Sequence, residues 1–265
     1  MDDGMTPLLF SSIAFAYVGA VVFLAVGVYL SVRRGRLHPL LLVSISAISF
    51  SWIEAPYDWA MYAQFPTAIP RMPGWWPMDL TWGGLPSSVP LGYISYFVLP
   101  AVIAAALGRR LSEKYGWRRP LTLLNVGWVV GFCWALLYNG GLGARLGVFA
   151  YGRVIPGLAL FEGTKHQYPV YDAVAMGVQV MVFTYLLGRL DPAGRNVIEQ
   201  WADSRSKTPR GSALLSVAAV VLLGHVVYGS VFAPHLVTKL RGDVTSGPSG
   251  QLFEGVENQP LHGGT

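Results

Sequence analysis

Six stretches of this chain are apolar over the length needed to cross a bilayer, and nothing else in the sequence limits its fold as much. They run roughly from Leu8 to Val32, Pro39 to Asp58, Val89 to Leu107, Leu121 to Tyr138, Pro169 to Gly188 and Gly211 to Phe232. A hydrocarbon core about 30 Å thick takes about 20 helical residues rising about 1.5 Å each. Because lipid offers backbone groups no partners, each stretch must satisfy its own hydrogen bonds as a helix. The expected fold is therefore all-α, a polytopic integral membrane helical bundle of about six transmembrane helices. Only 12% of residues are charged, against about a quarter in soluble domains. Asp2 and Asp3 stand where a cleavable signal would carry cations, so the first stretch reads as a span. One cysteine, Cys133, excludes an intrachain disulfide.

Charge orients the bundle. The loops after the first, third and fifth stretches hold thirteen of the nineteen cations: Arg33, Arg34 and Arg36; Arg109, Arg110, Lys114, Arg118 and Arg119; Arg189, Arg195, Arg205, Lys207 and Arg210. By the positive-inside rule those loops are cytoplasmic, which places both termini on the non-cytoplasmic side of what we read as the plasma membrane. Topology thus explains the net charge of +5, and no nucleic-acid partner is expected.

Between the spans, residues 143–161 are apolar but interrupted by Arg145, Arg153 and Pro156. Counting them as a seventh crossing would send the basic 189–210 loop outside, so they read as re-entrant or interfacial. From Tyr62 to Pro90, six prolines and Trp75, Trp76 and Trp82 form a Pro/Trp-rich outer loop, read as an ordered cap with an unstructured loop as the alternative. Residues 1–241 are taken as a single transmembrane domain and 242–265, rich in Gly, Ser, Pro and Asn, as a disordered tail. No internal repeat and no strand-to-helix phosphate loop is evident.

Counting from the cytoplasmic end of each span puts Glu54 about 24 Å across, Asp58 about 30 Å, Asp172 about 25 Å, His225 about 21 Å and Tyr228 about 26 Å. Tyr17, Tyr93 and Tyr138 reach a similar level. Ionisable groups at that depth are costly against lipid, so they are expected to face one another or a wet cavity. Glu54, Asp58 and Tyr62 are spaced to share a helical face, with Pro56 kinking the helix between them. Two carboxylates this close are not equally ionised: the less solvated Glu54 serves as proton donor and Asp58 stays anionic. The competing reading leaves both in the outer headgroup zone. Asp172 opens the fifth helix, where it also complements the helix N-terminus. His225 and Tyr228 share a face of the sixth, where the histidine either meets substrate or is satisfied by a neighbouring helix. Glu162 and His166 are too few for zinc, so no metal and no cofactor is expected. Asn125 and Gln179 lie deeper and read as interhelical hydrogen bonds.

The stretch from Ser51 to Phe65, with Trp52, Glu54, Pro56, Asp58 and Tyr62, followed by Met72-Pro-Gly-Trp-Trp-Pro77 and Gly92-Tyr-Ile-Ser-Tyr-Phe97, resembles the AveC-like spirocyclase family, named for the avermectin spiroketal-forming protein. The resemblance implies a multi-span membrane protein acting on a hydrophobic polyketide- or lipid-like ketone with two hydroxyl arms, closed twice to a spiroketal with loss of water. Such chemistry needs an acid to expel the hemiketal hydroxyl and a carboxylate to stabilise the oxocarbenium ion and accept the second proton. On this reading Glu54 is the acid, Asp58 or Asp172 the base, and His225 assists. Trp52, Tyr62, Trp75, Trp76, Tyr93, Tyr138 and Tyr228 line the substrate's site. The same residues would suit a membrane terpene cyclase, or a non-catalytic transporter or lipid-binding protein.

Overall fold

The computed structural model describes residues 5–261. Its elements are α1 (Pro7–Arg34), α2 (Pro39–Ser49), α3 (Glu54–Met61), β1 (Ala63–Gln64), α4 (Val89–Tyr115), α5 (Arg119–Ala135), β2 (Ala150–Tyr151), β3 (Ala159–Leu160), β4 (Tyr168–Pro169), α6 (Val170–Gly188), α7 (Val197–Arg205) and α8 (Pro209–Arg241). Six helical segments are long and apolar enough to cross a membrane: Pro7–Arg34, Pro39–Met61, Val89–Tyr115, Arg119–Arg145, Val170–Gly188 and Pro209–Arg241. The chain is an integral membrane protein with the helical architecture its apolar stretches require.

Local chemistry sets the ends of these helices. Thr6 accepts from the Leu9 N–H at 3.2 Å and Thr208 from Gly211 N–H at 3.1 Å, each just ahead of a proline whose missing donor would have had no helical partner. Gly35, Gly116 and Gly242 end α1, α4 and α8 in the left-handed conformation.

Two spans are irregular where they carry polar side chains. The second breaks into a 3₁₀ turn at Ser51–Ile53 and restarts as α3 at Glu54. Pro56 therefore lies in the first turn of the new helix, where its lost N–H and the clash with the carbonyl four residues back are absorbed by the turn before it. The break falls one turn earlier than the kink expected at Pro56. The fourth span continues past Ala135 as a π-helical segment, Leu136–Arg145, beyond its expected end at Tyr138.

Around the central α4 pack α1, α2, α5 and α6, while α8 closes against α2 and α7. The core between them is aromatic, with Phe50, Phe97, Phe183 and Tyr228 all buried. At the end bearing the basic loops, Arg34 pairs with Glu199 at 3.2 Å and Arg36 with Asp203 at 2.9 Å, tying the α1–α2 connection to α7.

At the opposite end the loops form a cap. Residues 143–161 do not make another span: the first three finish the π-helical segment, and the rest supply β2 and β3. β1 pairs antiparallel with β2, Ala63 opposite Tyr151, and β3 pairs with β4. The Pro/Trp-rich loop is ordered; the Arg71 guanidinium donates to the Phe65 and Pro66 carbonyls at 2.9 and 2.8 Å, and Gln64 bridges to Trp82.

The tail departs from its expected disorder. Val244, Leu252, Val256 and Gln259 are buried, Ser246 pairs with Val154, and Trp82 donates to the Glu257 carbonyl at 2.6 Å. A few apolar residues in a polar segment were enough to anchor it, and average composition conceals them. Residues 262–265 and the leader acids Asp2 and Asp3 lie outside the described residues.

Candidate functional site

Beneath the cap, between α1, α3, α4, α6, α8 and the π-helical segment, lies a partly open cleft with a cavity volume of about 130 Å³. Its polar lining is Glu54 and Asp58 from α3, Asp172 from α6, Tyr228 from α8, and Tyr93 and Tyr96 from α4. Tyr138 and Asn139 join from the π-helical segment, and Phe97, Phe149 and Met176 are among the apolar walls. A cleft of this make-up suits a small hydrophobic molecule with a few polar groups.

Glu54 and Asp172 sit in different hydrogen-bond environments. The Tyr228 hydroxyl donates to Glu54 Oε2 at 2.8 Å, the Tyr93 hydroxyl donates to the same oxygen, and the two phenol oxygens lie 2.5 Å apart. Tyr228 is fixed for this by stacking on Phe50 at 4.8 Å between centroids and on Tyr57 at 5.6 Å. Around Asp172 every partner is a donor: Tyr57 to Oδ1 at 2.9 Å, then Tyr168 and Asn139 to Oδ2 at 2.9 Å, with Tyr151 at 3.4 Å. Burial pushes the Tyr151 and Tyr168 hydroxyls well above the ordinary phenol range, and the neighbouring Asp172 adds to the shift, so both remain protonated donors. Asp58, one turn beyond Glu54, accepts from the Thr81 hydroxyl of the cap at 3.2 Å.

Of the residues singled out in the sequence, the structure gathers Glu54, Asp58, Asp172, Tyr93, Tyr138 and Tyr228 around this one cleft. His225 is not among its walls. Its Nε2 accepts from the Trp52 indole at 3.1 Å and its Nδ1 faces the Val221 carbonyl at 2.9 Å, so both ring nitrogens are used in the helix packing. Trp52 belongs to that pair and is likewise absent from the cleft lining. Tyr62 ends α3 in the left-handed conformation, with the Lys239 ammonium 3.3 Å from its ring centroid. Trp75 is 76% exposed, and Trp76 packs against it at 6.5 Å; neither reaches the cleft. Asn125 bonds its own helix at the Leu121 carbonyl in place of a neighbouring one.

Sequence reasoning missed Tyr57, Tyr96, Asn139, Tyr151 and Tyr168. Tyr57 was within reach, since it lies three residues after Glu54 and one before Asp58. Tyr151 belongs to a loop whose place only strand pairing with Ala63 determines. Among the described residues no group of three or more histidine, cysteine, aspartate or glutamate side chains is placed to hold a metal ion.

A sequence profile of the family described as "Spirocyclase AveC-like" matches residues 32–259, which covers everything from the end of α1 to the packed tail. No curated protein and no solved structure matches the chain.

Proposed function

The chain belongs to the AveC-like spirocyclase family, and from that premise we propose that the cleft closes a hydrophobic ketodiol to a spiroketal by acid-base catalysis, with Glu54 as acid and Asp172 as base. Membership supports a cyclase-type function in general; the assignment to residues rests on the opposed surroundings of the two carboxyl groups in one cleft. Three oxygens, of Glu54, Tyr93 and Tyr228, are in mutual hydrogen-bond contact, and the phenols bring two protons. A third proton, on Glu54, fills the remaining contact once one phenol turns to accept from the carboxyl, and that proton is the one assigned to the leaving hydroxyl. Asp172 accepts from four donors and so stands as the acceptor of the pair.

In the proposed reaction the hemiketal hydroxyl takes the Glu54 proton and its C–O bond breaks, releasing water and leaving an oxocarbenium ion. The second hydroxyl attacks that carbon, and its proton passes to Asp172. The released water returns the proton from Asp172 to Glu54, so no oxidant or cofactor is consumed. Electron-rich faces of Tyr57, Tyr93 and Tyr96 stabilise the cation, and the apolar walls keep bulk water from reversing the ketal. Asp58, held by Thr81, adds a polar group at the cap side of the cleft.

General acid-base groups contribute about 10²- to 10⁴-fold to rate. Glu54→Gln and Asp172→Asn are each expected to cut ketal formation from a ketodiol by at least about 10²-fold while the protein stays folded. Mass analysis of product, which has lost one water, checks this. Wild-type turnover in both variants would refute the assignment, and ligand binding without any product would favour a carrier.

We further read the basic-loop end as cytoplasmic and the cap as facing outward, supported by the thirteen cations of those loops.

A further inference from the structure

The cleft has to admit its substrate, and the packing of the helices around it restricts where that happens. On the cap side the way is covered by apolar side chains: Leu9 of α1 packs with Phe65, Ile69 and Val148, each less than a tenth exposed. Along the cleft's flank the situation differs. α1 packs on α2 and α4, while α5 packs on α4 and α6, so the two helices stand on either side of α4. What bridges them beside the cleft is a set of aromatic rings: Phe15 lies 5.6 Å from Tyr138 and 6.3 Å from Trp134, both tilted contacts. Tyr138 in turn stacks on Trp134 at 5.5 Å and meets Tyr96 edge-on at 5.3 Å.

Phe15 and Tyr138 line the cleft and are also half-buried at its side, flanked by Phe10 at 65% and Leu137 at 70% exposure. These neighbours belong to spanning helices and are exposed, so the gate stands on a surface that such helices turn outward from the bundle. Aromatic contacts of this kind, with a gain of about 0.5–1.5 kcal/mol each, can be broken by a side-chain rotation without unfolding a helix. The π-helical geometry places Tyr138 and Asn139 on the cleft side while leaving Leu137 outward, and such segments recur at functional sites.

We propose that the gap between α1 and the π-helical segment is a lateral portal, through which a lipophilic substrate dissolved in the bilayer reaches the cleft past an aromatic gate of Phe15, Trp134 and Tyr138. The portal rests on reading the cleft as the reaction chamber, and it restricts substrates to molecules that partition into the membrane. Bulk at position 15 then sets how large a substrate passes.

The test needs no substrate and no turnover. Met176 lines the cleft from α6 and is 4% exposed. Met176→Cys in a Cys133→Ser background is labelled with bimane and reconstituted into phosphatidylcholine vesicles, then exposed to a nitroxide-bearing fatty acid in the bilayer or to iodide in the water. We expect loss of fluorescence to the nitroxide, a larger loss when Phe15→Ala is added, and little to iodide. Equal or greater quenching by iodide, or no response of the nitroxide quenching to Phe15→Ala, would overturn the portal. Where the Met176 variant does not fold, Ser12→Cys, which lines the cleft from α1, carries the same label under the same criteria. Either outcome leaves the acid-base reading to be judged separately by Glu54→Gln.

Discussion

A histidine in a membrane helix draws attention as a catalyst because few side chains there can exchange protons. In this bundle the hydrogen bonds of His225 argue otherwise. Its two nitrogens meet the Trp52 indole and the Val221 carbonyl, and the ring packs edge-on against Phe50 at 6.4 Å, away from the cleft lining. His225→Gln is therefore expected to reduce ketal formation far less than Glu54→Gln, within about threefold of wild type against the 10²-fold or more of a lost acid. Parallel turnover assays of the two variants check this, and a comparable loss in both would return His225 to the site. The contrast between Glu54 and Asp172 is likewise decided by neighbours. Both are carboxylic acids that line one cleft; two phenols that touch each other surround the first, and four separate donors surround the second.

Helices α5 and α6 carry the site's Asn139, through the π-helical continuation, and Asp172. Their close approach depends on small residues. A Cβ on Gly131 would lie 2.6 Å from Val180 Cβ, and one on Gly127 would lie 2.8 Å from Met181 Cα, so no larger residue fits without parting the helices. Gly131→Leu is expected to destabilise the bundle by about 1–3 kcal/mol, as overpacked sites do, and to weaken the Asn139–Asp172 contact. Thermal unfolding in detergent measures it; an unchanged midpoint would show that the pair accommodates the side chain. Helix ends at Thr6, Thr208, Gly35 and Gly242 are set by local capping chemistry, whereas apolar length alone stopped the last span at Phe232, short of Arg241. The π-helical segment was not legible in the sequence, since a change from i−4 to i−5 bonding leaves no periodic trace over ten residues.

Across the whole molecule, the end opposite the cap is held by a charge cluster joining the α1–α2 loop, the α6–α7 loop, α7 and α8. The Asp203 carboxyl is held below the usual carboxylate range by the Ser212 hydroxyl, then by Arg36 and Arg195. A depressed pKa stabilises the fold only where the carboxylate is ionised, so the contribution is present above the unfolded value of about 3.9 and is lost as pH falls through the folded one. Asp203→Asn is therefore expected to lower Tm at pH 7, with the difference from wild type closing below about pH 4. Melting curves at both pH values check the sign; a gap that persists at pH 3 would contradict it. Since Arg36 and Arg195 are each about a third exposed, the effect is modest.

Span number and helical class followed from the sequence alone, because hydrophobic length and 1.5 Å per residue are properties of each segment taken singly. Family resemblance was legible for the same reason, in contiguous residues such as Ser51 to Phe65 and the Pro-Gly-Trp-Trp-Pro run. Rotation about each helix axis was left to tertiary packing. It turned Tyr138 and Tyr228 into the cleft, His225 and Trp52 toward one another, and Tyr151 from a distant loop onto Asp172. Partner choice is a relation between segments, fixed only when α4 is enclosed by its neighbours and the cap and tail close over them.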